Sequence, residues 1–140
     1  MVTVDYPISS AYLNVPNAGL QPAVEVELVH GHRTTRTVGI LDSGSSFTIF
    51  SPEFAELLGI DDVSSGHRAR ASTLGGAVDF YLFDLEMEVR FPSHRGRFAG
   101  QIGFFAAKMP RNILGRNLIF ARYEIGFRES QQLIHIRPED

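Results

Sequence analysis

Gly39-Ile40-Leu41-Asp42-Ser43-Gly44-Ser45-Ser46 is the stretch on which the reading of this chain turns. An apolar strand end delivers a single aspartate into a loop of serines and glycine. Loops of this kind bring backbone N–H groups and hydroxyls close to a carboxylate, and Gly44 permits a tight approach. Taken alone, Asp42-Ser43-Gly44 has a second reading, because the same residues open many ordinary turns after strands. What stands around the loop decides between the two.

Upstream, Val24-Glu25-Val26-Glu27-Leu28-Val29 alternates strictly, the period of a half-buried strand. His30-Gly31-His32 makes a turn and Thr34 to Leu41 returns as a second strand, so a hairpin ends at Asp42. Residues 1–22 hold Pro7, Pro16 and Pro22 and read as an irregular N-terminal arm before a single domain over 23–140. Downstream, Phe47-Thr48-Ile49-Phe50 has strand character. Ser51-Pro52-Glu53 then has helix-start chemistry, with Ser51 as N-cap, and Gly59 ends a helix of about two turns. Arg68 to Thr73 and Val78 to Arg90 read as strands flanking Leu74-Gly75-Gly76-Ala77. In the second, Phe80 and Leu82 share one face, while Phe83, Leu85, Met87 and Val89 share the other. A loop over residues 91–96 precedes a strand from Arg97 to Phe105. A short helical segment is expected at Asn117–Arg122, and strands at Glu124–Arg128 and Gln132–Ile136 follow it. The expectation is an all-β domain with one or two short helices.

Composition narrows the function classes. A chain of 140 residues fits one domain, and 44% hydrophobic against 21% charged residues is enough to bury a core. The formal charge of −3 argues against a broad phosphate-reading surface, so no nucleic-acid partner is expected. With no cysteine, a disulfide scaffold, a thiol nucleophile and a thiolate zinc site are all excluded. No signal-peptide pattern opens the sequence, and no apolar stretch reaches the roughly 18 residues a membrane span needs. The default expectation is a cytoplasmic domain.

The segment that changes the weight of Asp42 lies far downstream. Ile113-Leu114-Gly115-Arg116-Asn117 again follows a strand. Together with Leu41-Asp42-Ser43-Gly44 it resembles the retropepsin-like aspartic proteases, in which a hydrophobic-hydrophobic-Asp-Ser/Thr-Gly loop and a later hydrophobic-hydrophobic-Gly-Arg-Asn/Asp segment cross to frame the active site. Leu74-Gly75-Gly76-Ala77-Val78 looks like the family's flap, and the resemblance covers about residues 23–127. It implies a closed β-barrel acid-protease fold and an aspartic endopeptidase that uses no cofactor and no metal. A chain with one such loop supplies half an active site, so the resemblance also implies a homodimer acting on peptides or unfolded protein segments. By position, Asp42 matches the catalytic aspartate, and Ser43 matches the residue whose hydroxyl bonds across the dimer. Gly44 matches the glycine that approaches carboxylate and substrate, while Leu74, Gly75, Gly76 and Ala77 match the flap tip. Ile113, Leu114, Gly115 and Arg116 match the supporting segment.

Departures from the pattern carry expectations of their own. Retroviral members usually follow the glycine with Ala and Asp, where this chain has Ser45 and Ser46, so Arg116 lacks its usual acidic partner. Ser45 is more like the pepsin branch. A hydroxyl donating to the outer carboxylate oxygen favours the ionised form and predicts an activity optimum below neutral pH. Gln132–Ile136 is expected to contribute to the sheet that joins the subunits. The competing class is a catalytically silent dimer of the same fold that binds peptides or scaffolds a complex, and a third possibility is a protease activated by removal of residues 1–22. Elsewhere, His30 and His32 read as turn residues rather than metal ligands, and Asp61-Asp62 and Glu86/Glu88 as solvated acids. Phe80, Phe83, Phe104 and Phe105 read as core, with substrate pockets as the alternative.

Overall fold

The computed structural model describes residues 5–73 and 75–139, with twelve strands and two short α-helices among them. Residues 8–21, which composition suggests are irregular, form β1 (Ile8–Ala11), β2 (Leu13–Val15) and β3 (Gly19–Gln21). Pro7, Pro16 and Pro22 all fall in the connections, where a residue without an N–H breaks no ladder. The alternating segment is β4 (Ala23–His30). It pairs antiparallel with β5 (Arg33–Leu41), burying Val24, Val26 and Leu28 and turning Glu25 and Glu27 outward.

After β6 (Ile49–Phe50) the chain enters α1 (Glu53–Leu57). Pro52, not Ser51, occupies the N-cap, and the Ser51 hydroxyl instead accepts the Met109 N–H at 3.0 Å. The helix closes at Gly59 as expected: the Gly59 N–H donates to the Glu56 carbonyl and the Ile60 N–H to that of Ala55. β7 (His67–Thr73) and β8 (Gly76–Phe91) form one hairpin, and β8 and β9 (His94–Phe105) form the next. Pairing in the second runs out to Phe91↔His94, so the expected loop over 91–96 shrinks to a turn at Pro92-Ser93. β10 (Asn112–Leu114), α2 (Ile119–Arg122), β11 (Tyr123–Arg128) and β12 (Leu133–Pro138) complete the chain.

The larger sheet has the order β4-β5-β10-β6-β9-β8-β7, and β4 also pairs with β8. One edge of β8 serves β9, while its other edge is divided between β7, at residues 76–82, and β4, at residues 86–90. The pairings β4–β5–β10–β6–β9–β8–β4 therefore return on themselves, with β7 standing outside the circuit. The two faces of β8 meet different layers, as its pattern indicates. Leu85, Met87 and Val89 enter the main core, whereas Phe80 and Leu82 join Ile49 and Phe105 in a smaller cluster beside the β7–β8 hairpin.

A separate three-stranded sheet has the order β1-β12-β11. The segment Gln132–Ile136, expected to contribute to the sheet that joins the subunits, supplies the central strand of this sheet. Residues 133–136 pair with β1 on one edge and β11 on the other, so both ladders are satisfied within the chain. Ile134 and Ile136 are fully buried and Ile8 nearly so, which anchors the arrangement through packing as well as hydrogen bonds. Among the described residues no helix is long and apolar enough to cross a membrane.

Candidate active site

Two loops far apart in sequence are brought together by strand pairing. β5 and β10 run parallel, with Ile113↔Ile40 and Leu114↔Leu41 in register, and β10 meets β6 on its other side at Ile113↔Ile49. The ladder continues one residue into the loop, where the Asp42 N–H donates to the Leu114 carbonyl at 3.0 Å. Asp42 is therefore fixed at its backbone by the second motif while its side chain stays exposed. The Gly44 N–H donates to Asp42 Oδ1 at 2.9 Å and the Ser45 N–H to the Asp42 carbonyl at 3.1 Å, so the loop closes around its own carboxylate.

The second motif grips this loop from below. The Arg116 N–H donates to the Ser45 carbonyl at 2.9 Å, and Arg116 Nη2 donates to the Ser46 hydroxyl at 2.9 Å. Ser46 thus takes the position of the missing acidic partner. The Gly115 N–H donates to the buried Thr48 hydroxyl at 3.2 Å, and Asn117 bridges the Thr48 N–H and the Gln101 carbonyl. Gly115 lies against the loop backbone: a Cβ there would stand 2.6 Å from the Phe47 carbonyl carbon, closer still to its oxygen, and 2.8 Å from the Ser45 oxygen. The site's floor accepts no side chain at this position.

Asn112 closes the network one step further in. Its Nδ2 donates to Thr37 Oγ1 and the Val38 carbonyl, and its Oδ1 accepts the Ser51 N–H at 2.9 Å, all at a nearly buried position. Asn112→Ala strands these groups without partners and is expected to destabilise the fold by about 2–3 kcal/mol. Thermal unfolding should show this as a fall in Tm of about 10 °C.

Above the loop lies a cleft of about 380 Å³ between Asp42, Gly44, Ser45 and Ser46 on one side and Arg70, Ala71, Ser72 and Val78 of the β7–β8 hairpin on the other. Its walls are Phe47, Ile49, Phe80, Phe105 and Ile113. The hairpin is amphipathic by alternation. Ala69, Ala71, Val78 and Phe80 pack on the small apolar cluster, whereas Arg68 and Arg70 each donate to Asp79 at 3.0 Å. The hydrogen bond from Arg70, supported by that from Arg68, holds the Asp79 carboxyl below its ordinary value.

The sequence matches the family described as Aspartyl protease over residues 24–118, a span that holds both loops and the hairpin. The chain belongs to the aspartyl protease family. Among solved structures it is similar to a retropepsin-like aspartic protease from Rickettsia conorii, with a TM-score of 0.61 and 18% identity over 92% of this chain and 98% of that one. The EIAV protease, in complex with an inhibitor, aligns over 75% of this chain and 90% of its own with a TM-score of 0.48 and 16% identity. No curated protein matches the sequence. The fold is retropepsin-like and all-β.

Within this retropepsin-like chain the residues singled out from sequence fall into distinct places. Asp42, Gly44, Ser45 and Ile113 line the cleft; Leu114 and Gly115 are buried beneath it, and Arg116 is exposed at its side. Ser43 is exposed, and among the described residues its hydroxyl has no partner. Gly75, Gly76 and Ala77 are exposed at the hairpin end, outside the cleft lining, and Gly76 holds φ at 113°, a value that L side chains rarely adopt. Leu74 lies outside the described residues. One expectation is overturned: the Ser45 hydroxyl donates to the Phe47 carbonyl at 2.7 Å, not to the Asp42 carboxylate. A hydroxyl has one proton to give, so the acidic pH optimum loses the donor on which it rested.

Sequence reasoning passed over Thr48 and Asn112, and gave Asn117, the last residue of the second motif, no role of its own. The available signal is that two asparagines bracket Ile113–Arg116, at positions flanking a strand end where an amide can join two backbones. The aromatic alternatives divide: Phe80 and Phe105, cross-strand partners, line the cleft, while Phe83 and Phe104 pack in the main core. His30 bonds through Nδ1 to the Leu58 carbonyl; Glu86 and Glu88 pair with Arg97 and Arg90, and Asp62 accepts from Ser64 as a local cap.

Proposed function

We propose that this protein is an aspartic endopeptidase that acts as a homodimer, with Asp42 of each subunit contributing one carboxyl to a shared site. The observation that carries the reading is the position of Asp42: its backbone is locked to Leu114 of the second motif, and its carboxylate is exposed at the floor of the cleft under the hairpin. Exposed Ser43 and Gly44 beside it are consistent with a loop that a second copy covers. Two carboxyls held a few ångströms apart cannot both ionise cheaply, so they share one proton. The ionised member takes a proton from a bound water, whose oxygen attacks the peptide carbonyl carbon while the protonated member donates to the carbonyl oxygen. The resulting tetrahedral diol collapses as a proton passes to the leaving nitrogen and the C–N bond breaks. No covalent intermediate forms. The β7–β8 hairpin serves as the flap over an extended peptide, and Ser43 donates across the two-fold axis to tie the loops together.

The test is cleavage of an unfolded protein between about pH 3 and about pH 8, with the mass of the active species read by light scattering. The reading expects cleavage by a particle of twice 15.6 kDa. A dimer that binds peptides and cuts none would instead be the catalytically silent module. Ser43→Ala removes two symmetry-related hydrogen bonds of about 0.5–1.5 kcal/mol each, so the dimer Kd should rise by about tenfold. Sedimentation equilibrium reads this directly, and an unchanged Kd would remove Ser43 from the interface.

A further inference from the structure

On its other flank Asp42 borders a second cleft, of about 370 Å³, whose arginine, unlike Arg70 of the first, is in no ion pair among the described residues. Phe105, Met109, Pro110 and Ile113 form its apolar walls, and apart from Asp42 its one charged residue is Arg111. In the first cleft Arg70 shares the single Asp79 carboxylate with Arg68, so its guanidinium is already committed to an ion pair. Arg111 is exposed and, among the described residues, has no ion-pair or hydrogen-bond partner; the same holds for Lys108 on the same connection between β9 and β10. A chain of net charge −3 thus keeps Arg111 uncompensated in the lining of this cleft and Lys108 uncompensated one residue before Met109 of its wall.

We propose that this cleft selects peptides bearing a glutamate or aspartate within a few residues of the bond that is cut. This deepens the endopeptidase reading and rests on it for the location of the reacting centre at Asp42. The walls suit the apolar stem of an acidic side chain, and the rim supplies its countercharge, so glutamate, with the longer stem, is favoured over aspartate. Without Arg111 an acidic side chain here would meet only Asp42 and be repelled. A two-fold dimer presents the cleft twice, so an acid on either side of the bond meets a basic rim.

The experiment uses peptides with one apolar-apolar bond and a single varied position, Glu, Gln or Lys, placed in turn at neighbouring sites on both sides. For the wild-type protein at low ionic strength and about pH 6, kcat/KM for the best Glu peptide should exceed that for its Gln twin by about fivefold, with Lys below Gln. The preference should fade with added salt, and also as pH falls through about 4.3, where the glutamate loses its charge. The double variant Arg111→Glu/Lys108→Glu should invert the order to Lys over Gln over Glu. The same ranking should appear in binding to Asp42→Asn, followed by fluorescence anisotropy. That arm separates the two claims: absence of cleavage with the ranking intact overturns the endopeptidase reading alone. Equal handling of Glu and Gln both in cleavage by the wild type and in binding to Asp42→Asn, a ranking unmoved by the double variant, or no binding of any peptide would overturn the charge-selection proposal.

Discussion

Asp42→Asn should lower cleavage by at least about 10³-fold while the protein stays folded and its mass in solution is unchanged. The substitution keeps an oxygen at Oδ1, so the Gly44 N–H retains its acceptor at 2.9 Å, and the backbone bond to Leu114 is untouched. Because the side chain is exposed, the stability change should lie within about 0.5 kcal/mol. What is lost is the ability to hold a negative charge or to share a proton, and in a dimer it is lost twice. Initial rates on an unfolded substrate and a melting curve on the same sample separate the two effects. Cleavage at the wild-type rate would contradict the proposed mechanism, and a large fall in Tm would make the loss of activity a folding effect.

Gly115→Ala should damage the site from beneath. A methyl there meets backbone atoms, the Phe47 carbonyl and the Ser45 oxygen, and backbone cannot rotate aside as a long side chain can. Relief requires the Asp42 loop and the Gly115 segment to separate, which stretches the Gly115–Thr48 and Arg116–Ser45 hydrogen bonds together. Overpacking of this kind is expected to cost about 3 kcal/mol, near the upper end of the usual range. Tm should fall by about 10 °C, and any folded remainder should cut poorly because its Asp42 is misplaced. A variant with wild-type Tm and activity would show that the two loops are not held in the register described.

Much of this arrangement was legible in the chain because it is local. Val24–Val29 alternates with the period of the strand it forms, and β8 shows both of its buried faces as two interleaved apolar sets. The two loops were legible because each is an apolar strand end running into small and polar residues. The β1-β12-β11 sheet was not, since nothing in Ile8–Ala11 or Leu133–Ile136 names its partner; two edges are chosen by the packing of Ile8, Ile134 and Ile136, which local pattern does not express. Hydroxyl partners escaped for a related reason. Ser45 has a carboxylate and a carbonyl within a few residues, Ser51 a helix end and a distant N–H, and only the final loop geometry selects Phe47 and Met109. Thr48 and Asn112 are ordinary polar residues until the fold buries them between strands, and Asn117 is one until the fold sets it between Thr48 and Gln101.

The central claim is that one chain holds half a site. Mixing tests it most directly: a fixed amount of wild-type protein is equilibrated with a tenfold excess of Asp42→Asn chain, and cleavage is measured after subunit exchange. If each site needs Asp42 from both subunits, most wild-type chains will sit in mixed dimers with one carboxyl, and activity should fall to roughly a tenth. Activity that stays at the level of the unmixed wild-type protein, under conditions where exchange is demonstrated by a mass-tagged chain, would contradict a shared carboxyl pair.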